Sequence, residues 1–219
     1  MREIPYSKFN PFKWPIMCSV GLLAIFQYIF FSYLAFLAFP ESFDPFNNFL
    51  SQLGNYERNP NGAIFYFLAI IFSGVLTIIF YRGFYLFYST ERFTVLLKLI
   101  LILGIANGLS IFMSGVFAES VNYPLHFLFS FSIFFTLLPL LCMINIYIWN
   151  NQNYPKITSI LGFIVVIIDL IFILIAMISE ELFENAAIME WLSLFSYFIW
   201  MLLIIYQIIQ ESVSPNLKD

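Results

Sequence analysis

The sequence predicts an all-α membrane protein, a polytopic bundle of six transmembrane helices with cytoplasmic N- and C-termini. Of its 219 residues, 62% are hydrophobic and only 10% are charged, whereas a soluble domain usually carries about 25% charged residues. Six apolar stretches are each long enough to cross the roughly 30 Å of hydrocarbon in a bilayer. The basic residues also fall almost entirely on one predicted side of the membrane, which indicates the orientation.

The six apolar stretches define the helices of one predicted domain, residues 1–219. We expect them at about residues 15–39, 62–88, 95–117, 124–149, 157–178 and 187–209. Helices are expected rather than open strands, because a strand edge would leave backbone polar groups unsatisfied in lipid. The first stretch follows basic residues, as in a signal peptide, but its apolar run is too long for one. We therefore expect it to be retained as a helix.

The orientation follows from the positions of the basic residues. If the N-terminus is cytoplasmic, the outer side carries Arg58 alone. The inner side then carries Arg2, Lys8, Lys13, Arg82, Arg92, Lys98, Lys156 and Lys218. Short loops on the cytoplasmic side of membrane proteins carry an excess of Lys and Arg, so this bias predicts that both termini are cytoplasmic. We expect the protein in the plasma membrane.

The connection between the first two helices, residues 40–61, is the only long one. It is rich in proline and asparagine, which are typical of loops. Long connections in compact domains are often functional. Residues 43–53 of this connection keep many apolar side chains, and two arrangements are open. The segment either lies on the membrane surface or folds back over the bundle.

Several functional classes are excluded by composition. No basic patch indicates a nucleic-acid partner. Cys18 and Cys142 lie within apolar stretches, so we expect buried thiols rather than a disulfide. His126 is the single histidine of the chain, which excludes a zinc site built from three histidines. The Gly-x-Ser-x-Gly elbow of serine hydrolases is absent. We expect neither a metal nor a cofactor.

Two polar side chains are predicted deep in the membrane. Asp169 lies near the middle of the fifth helix, and Asn107 lies at nearly the same depth in the third. Gly104, Ser110 and Ser114 share the face of Asn107, which favours close helix packing. A charge in the bilayer centre costs at least ~2.5–3.5 kcal/mol, so such residues usually have a partner. Either they relay protons or ions or contact a substrate, or they form a hydrogen-bonded clamp between helices five and three.

Further polar residues are predicted at the outer ends of the helices. His126 opens the fourth helix, Glu119 closes the third, Glu190 opens the sixth, and Ser51 lies in the long connection. A histidine beside a carboxylate and a serine suffices for acid–base or nucleophilic catalysis. The same groups would bind a lipid headgroup or form a simple hydrogen-bonded rim. The candidate substrate contacts are Asn48, Ser51, Gly54, Trp191, Asp169 and Asn107.

These outer residues also carry a family resemblance. The connection reads NFLSQLG over residues 48–54, His126 follows near the start of the fourth helix, and the pair Glu190–Trp191 opens the sixth. This order resembles the Frag/DRAM/Sfk superfamily of six-helix membrane proteins and neighbouring uncharacterised prokaryotic families, over about residues 15 to 210. The matching positions are Ser51, Gly54, His126, Glu190 and Trp191. Members are linked to remodelling of glycolipid anchors, to lipid asymmetry and to autophagy, so the resemblance implies a function that involves membrane lipids.

Three functions are therefore open. The first is lipid binding or remodelling at an extracytoplasmic site, with membrane lipids as partners. His126 would be the acid–base group or the headgroup contact, Glu119 or Glu190 would orient it, and Ser51 would be a ligand or a nucleophile. The second is a non-enzymatic structural or regulatory membrane factor. The third is a small transporter that uses the two polar residues of the membrane interior.

Overall fold

The computed structural model of the chain describes residues 14–89, 94–151, 154–179, 182–183 and 185–213. Six helices are long and apolar enough to cross a membrane, which confirms the predicted all-α transmembrane fold. They are α1 (Ile16–Leu37), α2 (Ala63–Tyr88), α3 (Thr94–Val116), α4 (Tyr123–Asn150), α5 (Lys156–Ile178) and α6 (Ala187–Val213). The last helix continues four residues past the predicted end at residue 209.

The helices form a ring in chain order. Each helix packs against the next one, and α6 packs against α1 to close the ring. Because consecutive helices alternate in direction, the α1–α2, α3–α4 and α5–α6 connections lie at one end of the bundle, here called the loop end. The start of α1, the end of α6 and the other two connections lie at the opposite end.

Side chains of α2, α6 and the α4–α5 connection meet at the opposite end. The hydroxyl groups of Tyr88 and Tyr154 lie within hydrogen-bond distance of each other and at 3.2 and 3.3 Å from Glu211 Oε2, which accepts from them. Burial raises the pKa of the Tyr154 phenol well above its usual value, so the hydroxyl remains a donor. These contacts hold three separate segments together.

The predicted orientation rests partly on residues outside the described ranges, namely Arg2, Lys8, Lys13, Arg92 and Lys218. Among the described basic residues, Arg82, Lys98 and Lys156 belong to the halves of their helices nearer the opposite end, and Arg58 belongs to the loop end. This distribution agrees with a cytoplasmic opposite end. The orientation of the termini stays a prediction.

The long connection folds back over the loop end of the bundle, which is the second of the two arrangements expected. It forms a 3-10 turn at Leu50–Gly54, and the side chains of Leu50 and Leu53 are only 3% and 1% exposed. Asn59 fixes the return of the chain, because its Nδ2 donates to the carbonyl oxygens of Ala35 and Leu53 at 3.0 and 2.9 Å.

Small residues bring α3 close to α2. A Cβ atom at Gly74 would lie 2.7 Å from the carbonyl oxygen of Gly108, closer than real Cβ contacts come, and Gly104 packs directly on the Tyr81 ring. Of the predicted small-residue face of the third helix, Gly104 therefore packs on α2, as small residues do in other membrane helix pairs.

Candidate functional site

A cavity of about 160 Å³ lies inside the ring of helices at the loop end. It is comparable in size to an engineered cavity of about 150 Å³ that admits benzene. Residues of α1, α2, α3, α4, α6, the α3–α4 connection and the 3-10 turn line it, and none of the described lining residues comes from α5. Six of the predicted catalytic and substrate-contact residues are among the lining residues: Ser51, Gly54, Asn107, Glu119, His126 and Glu190.

His126 is placed by the start of α4. The Asn122 side chain caps this helix by accepting from the Leu125 backbone N–H at 3.1 Å, as asparagine commonly does. His126 Nδ1 then lies 3.2 and 3.0 Å from the carbonyl oxygens of Ser114 and Phe117. Carbonyls only accept hydrogen bonds, so in the neutral ring Nδ1 carries the hydrogen and Nε2 is an acceptor.

The predicted orientation of His126 by Glu119 or Glu190 is wrong in this structure. The two main-chain carbonyls at the end of α3 hold the ring instead. The helix ends at Val116, three residues before Glu119, so its last carbonyls lack helical partners and accept from the imidazole. Glu119 therefore lies in the α3–α4 connection, and its buried Oε2 has no hydrogen-bond partner among the described residues.

Glu190 lies in the first turn of α6, where the helix dipole favours a negative charge. Its Oε2 accepts a hydrogen bond of 2.6 Å from the backbone N–H of Leu50, and the carboxylate also receives the N–H of Ser51. The next residue, Trp191, donates from Nε1 to the carbonyl oxygen of Asn48 at 3.0 Å. Two consecutive residues of α6 thus hold the start of the 3-10 turn over the cavity.

Asn48 and Trp191 position the loop and do not line the cavity. The Asn48 side chain bonds within the loop, accepting from the Asp44 N–H at 3.0 Å and donating to Gln52 Oε1 at 3.1 Å. Gly54 has a steric role, because a Cβ atom there would lie 2.6 Å from Cδ1 of Tyr66. The absence of a side chain lets the turn pack flat on α2.

Ser51 lines the cavity, but no hydrogen bond between Ser51 and His126 is present in the described part of the chain. The other ring nitrogen, Nε2, is hydrogen-bonded to Ser130 Oγ, one turn deeper in α4, at 3.4 Å. The geometry therefore gives Ser51 the position of a ligand contact. It does not pair Ser51 with His126 as a nucleophile with its base.

The expected clamp between Asp169 and Asn107 is also wrong. Asp169 is fully buried outside the cavity, and its Oδ1 accepts a hydrogen bond from Ser193 of α6. Asn107 donates to Ile133 O and Thr136 Oγ1 of α4 at 2.9 and 3.0 Å. In the ring, α4 stands between α3 and α5, so each residue bonds to its adjacent helix.

Three tyrosines that line the cavity were not recognised as a group from the sequence. Tyr28 and Tyr66 have their hydroxyl oxygens 3.3 Å apart, and the hydroxyl oxygen of Tyr197 lies 3.3 Å from that of Tyr81. The available signal was their position within apolar helices, because a phenol in the membrane interior needs a hydrogen-bond partner.

The described residues contain no group of three or more His, Cys, Asp or Glu side chains that could hold a metal ion. Cys18 and Cys142 are both free thiols. The chemistry available at the cavity is therefore that of hydroxyl groups, two carboxyl groups and one imidazole.

The cavity changes character with depth. Along α4 its lining passes from His126 and Ser130 to Ile133 and Leu137, over eleven residues or about 16 Å of helix. Most of its deeper polar groups already have protein partners. Asn107 bonds to α4, Ser193 to Asp169, and Ser73 accepts from Gln27 Nε2 at 2.7 Å. Unused hydrogen-bonding capacity therefore lies mainly at the loop end.

The comparisons with known proteins give a family and no activity. No curated protein and no solved structure matches the chain. A family described as "Protein of unknown function (DUF998)" matches residues 22–206. This range contains every helix of the ring, apart from the first turns of α1 and the last turns of α6. The chain is an integral membrane protein that belongs to the DUF998 family.

Proposed function

We propose that this protein binds a membrane lipid at its loop end. The headgroup would lie among Ser51, Glu119, His126 and Glu190, and the first part of one acyl chain would occupy the deeper part of the cavity. The observation that carries the proposal is the gradient of the lining, which is polar at the loop end and apolar or internally hydrogen-bonded further in. An amphiphile has the same gradient along its length.

The cavity extends in the direction of an acyl chain, and its volume of about 160 Å³ holds a part of one. Its lining extends about 16 Å along α4. One leaflet occupies half of a hydrocarbon core of roughly 30 Å, so the two lengths are similar. An acyl chain that moved from the adjacent leaflet into the cavity would therefore stay at the same depth in the membrane. The apolar lining would replace neighbouring lipid tails, so transfer from the bilayer requires little change in the surroundings of the chain.

His126 is suited to contact the headgroup. With Nδ1 directed at main-chain carbonyls, Nε2 is the acceptor of the ring, and a ligand donor would replace its long contact of 3.4 Å with Ser130 Oγ. A neutral imidazole can accept a hydrogen bond from a hydroxyl or ammonium group of a lipid. The 3-10 turn, held by Glu190, would cover the headgroup from the loop end.

The resemblance to the Frag/DRAM/Sfk superfamily supports a lipid ligand. Of the positions that carry it, Ser51, Gly54, His126 and Glu190 line the cavity, and Trp191 holds the loop that covers it. The plasma membrane, with the loop end on its extracytoplasmic side, is the location that we propose. The resemblance alone does not assign a reaction, and we propose binding as the primary function.

A cavity-filling substitution tests the proposal. Ala24 is buried and lines the cavity, whereas its neighbour Leu23 is 51% exposed on the outer surface of α1. Ala24→Phe should fill the cavity, and Leu23→Phe is the matched control. Each protein would be incubated in detergent with phosphatidylethanolamine, phosphatidylglycerol and diacylglycerol, and bound lipid would be counted by native mass spectrometry.

The expected result is one retained lipid on the unmodified protein and on Leu23→Phe, and about tenfold less on Ala24→Phe, which corresponds to a loss of about 1.4 kcal/mol of binding free energy. Thermal unfolding checks that both variants are folded. Should Ala24→Phe fail to fold, Ile133→Phe on α4 fills the cavity from another side. Equal lipid retention by folded cavity-filled and control proteins would overturn the proposal, as would no retention by the unmodified protein.

A further inference from the structure

We infer that the headgroup of the bound lipid carries a protonated amine, which lies between Glu119 and Glu190. This inference rests on the proposed function and names the chemical class of its ligand. It is carried by three observations on the cavity: the sign of its charged groups, an unpartnered carboxylate oxygen, and the distribution of hydrogen-bond acceptors.

The charged groups of the cavity are acidic. Among the described residues that line it, the carboxylic acids are Glu119 and Glu190, and neither lysine nor arginine is present. The other titratable lining groups are the imidazole of His126 and the phenols of Tyr28, Tyr66 and Tyr197. A phosphate or carboxylate headgroup would therefore meet like charges and no fixed cation, whereas a cation would meet opposite charges.

The two carboxyl groups differ in their partners. Glu190 receives backbone N–H groups of the 3-10 turn, but Glu119 Oε2 is buried without a hydrogen-bond partner in the described structure. The two side chains line the same cavity. A buried acceptor without a partner is unfavourable, and so are two like charges in an apolar surrounding. A cation between them would relieve both.

An ammonium group matches the acceptors at the loop end. It has three hydrogen-bond donors and no acceptor. Glu119 Oε2, the Glu190 carboxylate and His126 Nε2, once its 3.4 Å contact with Ser130 Oγ is replaced, supply three acceptors around the polar end of the cavity. A hydroxyl headgroup has one donor and would leave acceptors unused. The expected order of affinity is therefore amine first, alcohol second and carboxylate last.

Three probes with the same tail test this order: dodecylamine, dodecanol and dodecanoate at neutral pH. Their dissociation constants would be measured on the detergent-solubilised full chain by native mass spectrometry. Dodecylamine should bind about tenfold more tightly than dodecanol, as expected for a hydrogen bond to a charged rather than a neutral group. Glu119→Gln should remove most of this preference, measured as the ratio of the dodecanol and dodecylamine dissociation constants within the same variant. Glu57→Gln, at an exposed position of the same end, should keep the preference.

A second comparison needs no substitution and identifies the source of the amine. Dilauroyl phosphatidylethanolamine should bind more tightly than its N-acetyl derivative, which keeps the tails and the phosphate but loses the ammonium charge. Preference for dodecylamine without this second preference would support the amine site and assign it to single-chain amines.

The outcomes separate the two proposals. Equal affinity for the three dodecyl probes would overturn the inference of an amine and leave lipid binding intact. Tighter binding of dodecanoate than of dodecylamine would also overturn it. If no probe binds to the unmodified protein, or if Ala24→Phe binds all three as the unmodified protein does, the proposed lipid cavity itself fails.

Discussion

The carboxylate of Glu190, in the first turn of α6, accepts a 2.6 Å hydrogen bond from the backbone N–H of Leu50, which lies 140 residues earlier in the chain. This contact joins the last helix to the long first connection. Because Leu50 begins the 3-10 turn that covers the cavity, one side chain both belongs to the candidate site and holds its cover in place.

Glu190→Gln should loosen this cover. A hydrogen bond to a charged acceptor is worth about 1 kcal/mol more than one to a neutral acceptor. We expect faster amide hydrogen exchange at Leu50 in the variant, with little change in the exchange of α2 or α3. Glu57→Gln provides the control, since Glu57 is exposed at the same end. Unchanged exchange at Leu50 in Glu190→Gln would show that this contact does not hold the turn.

Gly54→Ala should destabilise the loop end. The added Cβ would lie 2.6 Å from the Tyr66 ring, and such overpacking typically costs about 1–3 kcal/mol. The loss would be measured as a lower temperature of thermal unfolding in detergent.

Tyr66→Ala removes the ring that the new Cβ would meet. Gly54→Ala should therefore cost less in the Tyr66→Ala background than in the unmodified protein. Equal costs in both backgrounds would mean that this clash is not the cause of the loss.

Ser193→Ala should leave Asp169 as a fully buried carboxyl group without its described hydrogen bond. Loss of one partner of a buried polar pair costs about 1–3 kcal/mol. In an Asp169→Leu background the same substitution should cost much less, because no polar group is then left unpaired.

Ser196→Ala is the matched control for Ser193, since Ser196 bonds only within its own helix. It should change thermal unfolding little in either background. If Ser193→Ala costs the same with and without Asp169, the two side chains are not coupled.

The tautomer of His126 can be observed directly, because the chain contains a single histidine. Nitrogen-15 NMR of histidine-labelled protein at pH 8, where imidazole is ordinarily neutral, should show a hydrogen on Nδ1. The carbonyl oxygens of Ser114 and Phe117 impose this form. Ser130→Ala should leave it unchanged, whereas a spectrum of the Nε2-protonated tautomer would contradict the geometry.

Contacts between distant segments explain why the candidate site was only partly predicted. Placing Ser51, Glu119, His126 and Glu190 at one end of the bundle needed only helix count and alternation. The bonds that they make depend on where α3 ends and how each helix is rotated. The third helix ends at Val116, one residue before the predicted end at 117, and main-chain carbonyls at this end contact His126 in place of Glu119.

The sequence by itself determined that the chain forms six membrane-spanning helices. The length and apolar composition of each segment are local properties, and they decide whether that segment can span the hydrocarbon core. Only the tertiary structure decided that Asp169 bonds to Ser193, that Asn107 bonds to α4, and that Glu190 holds Leu50. In lipid, a helix remains apolar on its outer face as well as its inner face. The pattern that shows the buried side of a soluble helix is therefore weak here, and the partner of each polar side chain is set by packing.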